Sequence, residues 1–306
     1  MWSGRCAYAG VSRPTGSVSV VVDVPGYLRR LRLPDPGPPS VAALAAIHRA
    51  HVERLAYTTI DIQLGRRSGV EPEESAARVV ATGRAGYCLH LNGGLSALLA
   101  ALGYDVRWHV GGVQRRVDPE PVGANANHLA LTVHGLPDDG CPDGVWMVDA
   151  GLGDALHEPV PLHPGVHHQG PFRYELHPST VVEGGWRFVH DPTGSFEGMD
   201  FSPQVAGPDA FAASHRVMST SPQSGFVKTL CAQRRDAQGV DVLRGLTLAR
   251  VDAAGTDSRE ITSRDDLFAV LADVFAIPLA DVDNAQRDAL WQRVRAGHDE
   301  WLRSQV

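Results

Sequence analysis

A thiol, an imidazole and a carboxylate can together form an activated nucleophile, and this sequence holds one of each in a suggestive setting. Cys88 stands in Gly83-Arg-Ala-Gly-Tyr-Cys88-Leu-His-Leu-Asn92, after a small-residue turn and before the apolar run 95–102, a helix that Gly103 ends. A cysteine in the first turn of a helix meets the positive end of the macrodipole and unpaired backbone amides, both of which favour thiolate over thiol. The same placement also suits an inert cysteine that packs as a small hydrophobe. A nucleophilic thiol needs a base, and a third group to orient that base, neither of which must be close in sequence.

Two downstream residues fit those roles. His128 opens the apolar run 129–133, which makes it a strand-borne histidine, and Asp149 ends the run 145–148 just before Ala-Gly-Leu-Gly153. A carboxylate at the end of an apolar strand is unfavourable unless it is paired. The turn-rich segment 136–144 links the two runs as a hairpin and brings His128 close to opposite Asp149. On residues alone His90, His109 and His134 compete as the base, His128 also reads as a core histidine, and Asp149 also reads as a turn aspartate.

The elements that must position these side chains change character along the chain. Residues 1–19, rich in Gly, Ser and Arg, read as a mobile leader or a start-site artefact. A short helical pattern at 27–31 stops at the proline-rich run 34–39. Ser40 then caps an amphipathic helix with Leu44, Ile47, His48, His51 and Leu55 on one face, where the histidines read as core or contact residues rather than metal ligands. Residues 60–64 alternate like a short strand, and 71–80 form a helix that opens on Pro72 and acids. After Gly103 the chain turns to short β-like runs at 106–113, 128–133, 145–148, 172–176 and 186–190, an antiparallel barrel or sandwich. A short helix at 209–215 follows, then strands at 226–233, 239–250 and 260–262, a helix capped by Ser263 and a helical tail over 281–302.

Composition narrows the function. A length of 306 residues with 43% hydrophobic content supports a large packed core. A net charge of −7, a pI near 6.0 and scattered arginines leave no basic footprint for nucleic acid. Cys6, Cys88, Cys141 and Cys231 are far apart with no Cys-x-x-Cys pair, which argues against a zinc site or a disulfide framework and fits a reducing cytoplasm. No apolar run reaches the roughly 18 residues of a membrane span.

The segment Arg84-Ala-Gly-Tyr-Cys88-Leu-His-Leu-Asn92 resembles the Arg-Gly-Gly-x-Cys-x-Glu-x-Asn signature of the arylamine N-acetyltransferase family. Val148-Asp149-Ala-Gly-Leu-Gly153 resembles its Val-Asp-Val-Gly-Phe-Gly, and His128-Leu-Ala-Leu falls where the family has its catalytic histidine. The segment 56–65 is similar to the family's Pro-Phe-Glu-Asn-Leu region, and 219–226 to its Ser-x-x-Pro-x-Ser-x-Phe, so that the resemblance covers roughly residues 24–279 in one order.

The resemblance implies an α+β fold of three domains: a helical bundle over 20–103 carrying the nucleophile, an antiparallel β-barrel over 104–207 carrying His128 and Asp149, and an α/β lid with C-terminal helices over 208–306. It implies a Cys88–His128–Asp149 triad that moves an acyl group by a ping-pong route, from acyl coenzyme A or an acyl carrier protein thioester to a small-molecule amine. No permanent cofactor, metal, nucleic acid or membrane is implied. Tyr57, Leu152, Gly153 and Phe226 would contact substrate, and Ser219 and Ser224 the coenzyme A donor.

The departures are His90 for the signature Glu, Tyr57-Thr58-Thr59 for Phe-Glu-Asn, and Leu152 for Phe. They imply that two acids beside Arg84 have been lost and that the pocket is rewired, which brings in an amide synthase of specialised metabolism with a larger acyl donor. A thiol hydrolase or transglutaminase-like enzyme, and a catalytically silent binding module, are the readings from other classes.

Overall fold

A computed structural model describes residues 21–303; the leader read over 1–19 lies outside them. The N-terminal region holds helices α1 (Val24–Leu31), α2 (Val41–Arg54), α3 (Ile60–Gln63), α4 (Pro72–Thr82) and α5 (Cys88–Ala101), with the short strand β1 (Tyr57–Thr58) between α2 and α3. Local chemistry sets these boundaries. The Ser40 hydroxyl accepts from the Ala43 amide at 3.2 Å to start α2, and α4 opens on Pro72, Glu73 and Glu74 and closes on Gly83 in the left-handed region. Helix α5 is apolar all round and is buried from Cys88 to Leu99, so it forms the axis of the bundle rather than a face of it.

Eight antiparallel strands then curl into a nearly closed barrel: β2 (Asp105–Arg115), β3 (His128–His134), β4 (Trp146–Val148), β5 (Val160–Pro161), β6 (Gly165–Gln169), β7 (Phe172–Pro178), β8 (Trp186–Val189) and β9 (Phe196–Val205). Their order across the sheet is β5-β4-β3-β2-β9-β8-β7-β6. The third part has α6 (Ala212–Thr220), α7 (Gly225–Lys228), strands β10 (Cys231–Arg235), β11 (Gly239–Arg244), β12 (Thr247–Asp252) and β13 (Gly255–Glu260), and helices α8 (Arg264–Asp273) and α9 (Asn284–Arg303). Its sheet runs β1-β10-β11-β12-β13, so a strand from the helical region forms one edge. This is the expected α+β arrangement of bundle, barrel and lid. Among the described residues no helix is long and apolar enough to cross a membrane.

Four local expectations are corrected. Residues 60–63 are helical with Leu64 as the C-cap, because five residues cannot separate alternation from a helical turn and Tyr57–Thr58 take the strand position against β10. The strand read over 226–233 starts only at Cys231, since the Ser224 hydroxyl accepts from the Phe226 amide and begins α7. The run 239–250 breaks at Gly245, which adopts a φ of +59°, and becomes the β11–β12 hairpin. The strand read at 260–262 instead spans 255–260.

The core joins helix α5 to strands β3 and β4. Leu129, Leu131 and Val133 of β3, with Trp146 and Val148 of β4, share one apolar cluster with Leu89, Leu91 and Leu95 of α5. The intervening Ala130 and Met147 belong to the barrel cluster on the other face. Strand alternation therefore puts His128 with Ala130 and Asp149 with Met147, on the same side of the sheet.

Candidate active site

Cys88 is the first residue of α5, His128 the first of β3, and Asp149 the residue after β4. The β3–β4 register pairs Leu131 with Val148, so Asp149 falls across from Ala130 and diagonal to His128. The His128 Nε2 lies 2.7 Å from Asp149 Oδ2, and the Cys88 side chain lies close enough to the ring to help raise its pKa. All three residues are almost fully buried. The Cys88 thiol is also 3.6 Å from the Asn127 carbonyl.

Asp149 is fully satisfied. Its Oδ1 accepts from Asn92 Nδ2 at 2.7 Å and from the Gly151 amide at 2.9 Å, which leaves Oδ2 for the histidine. Burial on its own would push the His128 pKa down, but the Asp149 carboxylate, through charge and hydrogen bond, and then Cys88 outweigh it and raise the ring to about 10. A ring that stays protonated at neutral pH can hold a thiolate beside it, and such a pair can attack an electrophilic carbon and later return a proton.

Asn92 braces the set. Its Nδ2 also donates to the Leu129 carbonyl at 2.6 Å, and its Oδ1 accepts from the Ala150 amide at 3.0 Å, so one side chain on α5 grips both β3 and the chain beyond β4. Its position four residues after Cys88 puts both on one helix face, the one signal in the sequence for this role. Gly151 makes a second brace by absence of a side chain: a Cβ there would lie 2.9 Å from the Cys88 Cα and from Asn92 Nδ2. Gly151→Ala is expected to retain the fold by circular dichroism yet lower kcat/KM about 10²-fold by displacing the cysteine. An unchanged rate would deny the contact any positional role.

The competing histidines are held elsewhere. His109 Nε2 and His134 Nε2 both meet the Thr132 hydroxyl, at 2.8 and 2.9 Å. His90 is buried with Nε2 3.2 Å from the Ser68 hydroxyl and its Nδ1 packed against Gly86, and it stacks edge-on to Tyr87 and His215. Burial, with Arg78 and His215 nearby, pushes its pKa well below that of a free histidine, so it is a neutral packing residue. His48 and His51 are core residues, bonded to the His157 carbonyl at 3.0 Å and the Tyr27 hydroxyl at 2.9 Å. Among the described residues no group of three or more His, Cys, Asp or Glu side chains is placed to hold a metal ion.

Cys88 and His128 open onto a cavity of about 580 Å³ between bundle, barrel and lid. Tyr57, Leu152, Phe226 and Ser224 line it. Gly153 and Ser219 lie off the lining. Gly153 backs onto the Gln233 side chain, and the Ser219 hydroxyl donates to the His215 carbonyl within α6 at 2.7 Å. Asn127, Ser195, Gln233 and Arg244 also line the cavity, and only the strand register points to the last two.

The buried Arg84 has new counter-ions in place of the acids absent from its expected neighbourhood. It grips Asp281 through two bonds of 2.8 Å and approaches Asp61 at 3.3 Å.

A profile of the N-acetyltransferase family matches residues 40–284. The chain is 29% identical to an arylamine N-acetyltransferase of Mycolicibacterium smegmatis, over 86% of this chain and 94% of that protein. It is 26% identical to proansamycin X synthase of Amycolatopsis mediterranei, over 84% and 98%. The structure of Mycobacterium marinum arylamine N-acetyltransferase in complex with CoA is similar with a TM-score of 0.78 at 27% identity, covering 89% of this chain and 98% of that one.

Proposed function

The chain belongs to the arylamine N-acetyltransferase family, a family of acyltransferases acting on amines, and on that premise we propose that Cys88 is the nucleophile of a two-step acyl transfer, with His128 as acid and base and Asp149 as its orienter. The donor is an acyl thioester such as acyl coenzyme A. The observation that carries the reading is the run of contacts from Cys88 through His128 to the buried Asp149, with Cys88 and His128 on the cavity wall.

In the first half-reaction the Cys88 thiolate attacks the thioester carbonyl. The oxyanion that forms is held by backbone N–H groups at the start of α5, where helix amides have no intrahelical acceptor. As it collapses, the donor C–S bond breaks and the leaving sulfur takes the proton of the His128 imidazolium. Cys88 is left as an acyl thioester and the ring is neutral. In the second half-reaction an uncharged amine attacks that thioester, His128 removes the amine proton, and the Cys88 C–S bond breaks. The amide departs and the thiolate–imidazolium pair is restored, with Asp149 stabilising the ring whenever it is charged.

A second reading within this chemistry, an amide synthase using a larger or carrier-bound acyl group, is favoured by Leu152 in the cavity wall and by the proansamycin X synthase relative.

Intact-protein mass spectrometry after mixing with acetyl coenzyme A, or with a longer or carrier-bound donor, tests both. One acyl group is expected on the unsubstituted chain and none on Cys88→Ala; an adduct that survives the substitution overturns the assignment. Efficient labelling by acetyl coenzyme A alone rejects the synthase branch.

A further inference from the structure

Helix α6 closes one side of the cavity without being packed into the protein. Met218 of α6 and Phe226 of α7 are in the cavity wall, yet no residue of α6 is buried and Val217 is 61% exposed. The helix is anchored at its start by Phe211, buried against Trp108, and α7 is anchored by Gln63, whose Nε2 donates to the Phe226 carbonyl at 2.8 Å. Between these anchors one side chain bonds α6 to the bundle. Among the described residues His215 makes the only side-chain hydrogen bonds from α6 to the helical region.

Those bonds end beside the nucleophile. His215 Nε2 lies 2.7 Å from the Ser68 carbonyl, which can only accept, so that nitrogen carries the proton and donates it. Nδ1 then offers its lone pair, and the Tyr87 hydroxyl donates to it at 2.5 Å. Tyr87 is the buried N-cap of α5, the residue before Cys88, and its ring packs on Phe226 with centroids 5.0 Å apart. His90 completes the clasp. It stands edge-on to Tyr87 at 4.6 Å and to His215 at 5.4 Å, and its Nε2 meets the Ser68 hydroxyl at 3.2 Å. The histidine that replaces the signature glutamate is therefore one of three rings joining α6 to the segment that delivers the thiol.

An acyl group on Cys88 must wait for its amine in a cavity whose lining reaches Val117, 78% exposed, so water can enter and attack the same carbon. Closure that excludes water protects such an intermediate. Resting on the acyl-transfer reading, we propose that His215 is a positioning residue that clasps α6 to Tyr87 and keeps water from the Cys88 thioester. When the clasp opens, a water oxygen bonds to the acyl carbon, one water proton passes to His128 and the Cys88 C–S bond breaks. A carboxylic acid leaves and the thiolate–imidazolium pair is restored. The donor is consumed and no amide is made.

The full chain is loaded with acetyl coenzyme A and freed of excess donor, and the acetyl adduct is followed by intact-protein mass spectrometry with and without 4-methoxyaniline. In water alone His215→Phe, which keeps a ring and removes both bonds, is expected to shorten the adduct lifetime about tenfold. Tyr87→Phe is expected to shorten it equally, the double variant no further, and His215→Gln, with a donor and an acceptor of its own, to recover part of it. The ratio of hydrolysis to transfer, rather than the rate of adduct formation, is expected to carry the effect. An unchanged lifetime, or single effects that add in the double variant, overturns the proposal. Loss of adduct formation together with a lowered urea midpoint marks a structural role and overturns it too. Backbone hydrogen exchange over α6 is expected to quicken in both single variants, and exchange left unchanged overturns the clasp. If the unsubstituted chain takes up no acetyl group, the acyl-transfer reading fails, while the exchange experiment still decides whether His215 holds α6.

Discussion

Replacement of His128 by glutamine is expected to lower kcat/KM for acyl transfer about 10³-fold, within the range that a positioned acid–base group supplies. No other histidine can substitute, since His109 and His134 share Thr132 and His90 faces Ser68 and Gly86. The pH profile distinguishes lost chemistry from lost folding. The folded-state pKa of His128, about 10, lies above that of a free histidine near 6.5, so its protonated form stabilises the fold fully below that free value. This contribution disappears as pH rises through about 10. Turnover by the unsubstituted chain should decline along the same limb, and the residual rate of His128→Gln should lack it. A decline confined to the range of a free histidine, or a variant that keeps most of its rate, would remove His128 from the reaction.

Asp281→Asn should destabilise the protein by about 2 kcal/mol, read as a fall in the urea midpoint at constant slope. Arg84, on the segment that delivers Cys88, is only 3% exposed, whereas the Asp281 side chain is 42% exposed. Water therefore screens part of the interaction, and the expected loss falls below the 3–5 kcal/mol typical of breaking a fully buried pair. Arg66 also bonds Asp281 and lies 3.6 Å from Asp61, so a network of four charges is involved. The hydrogen bond from Arg84, helped by Arg66, holds the Asp281 carboxyl well below the usual carboxylate range against the opposing effect of burial. The stabilisation is present above the unfolded carboxylate pKa and is lost as pH falls through the lower folded value. Variant and parent should therefore converge in strong acid, and a midpoint unmoved at pH 7 would show the network to be energetically idle.

The chemistry of the site was more legible in the sequence than its frame. Cys88, His128 and Asp149 each stand at an element boundary with a local signature, and alternation along β3 and β4 is enough to place the last two on one face. The capped helices α2, α4 and α8 follow from Ser40, Pro72 and Ser263. Strand β9 was invisible because Gly198, Asp200, Ser202 and Pro203 interrupt it. It exists because it pairs with β2 and β8, with Arg187 and Ser179 bonding the buried Asp200. Strand β13 is fully exposed, so it has no inward face to produce an alternating pattern. The place of Arg244 in the cavity wall depends on partners distant in sequence, and the replacement counter-ion of Arg84 sits 197 residues away.

The strand β1 fixes an order of assembly. Tyr57 and Thr58 close one edge of the lid sheet by pairing with Gln233 and Ala232, so that edge stays open until chain segments more than 170 residues apart have met. Contacts of such long separation slow folding, because loop closure must precede the gain from pairing. During synthesis the helical region would emerge and collapse first, with β1 waiting for a partner, and Cys88 would gain its cavity only when nearly the whole chain had left the ribosome. A lid fragment made alone would expose the backbone of β10 along its free edge and invite strand-to-strand association between copies.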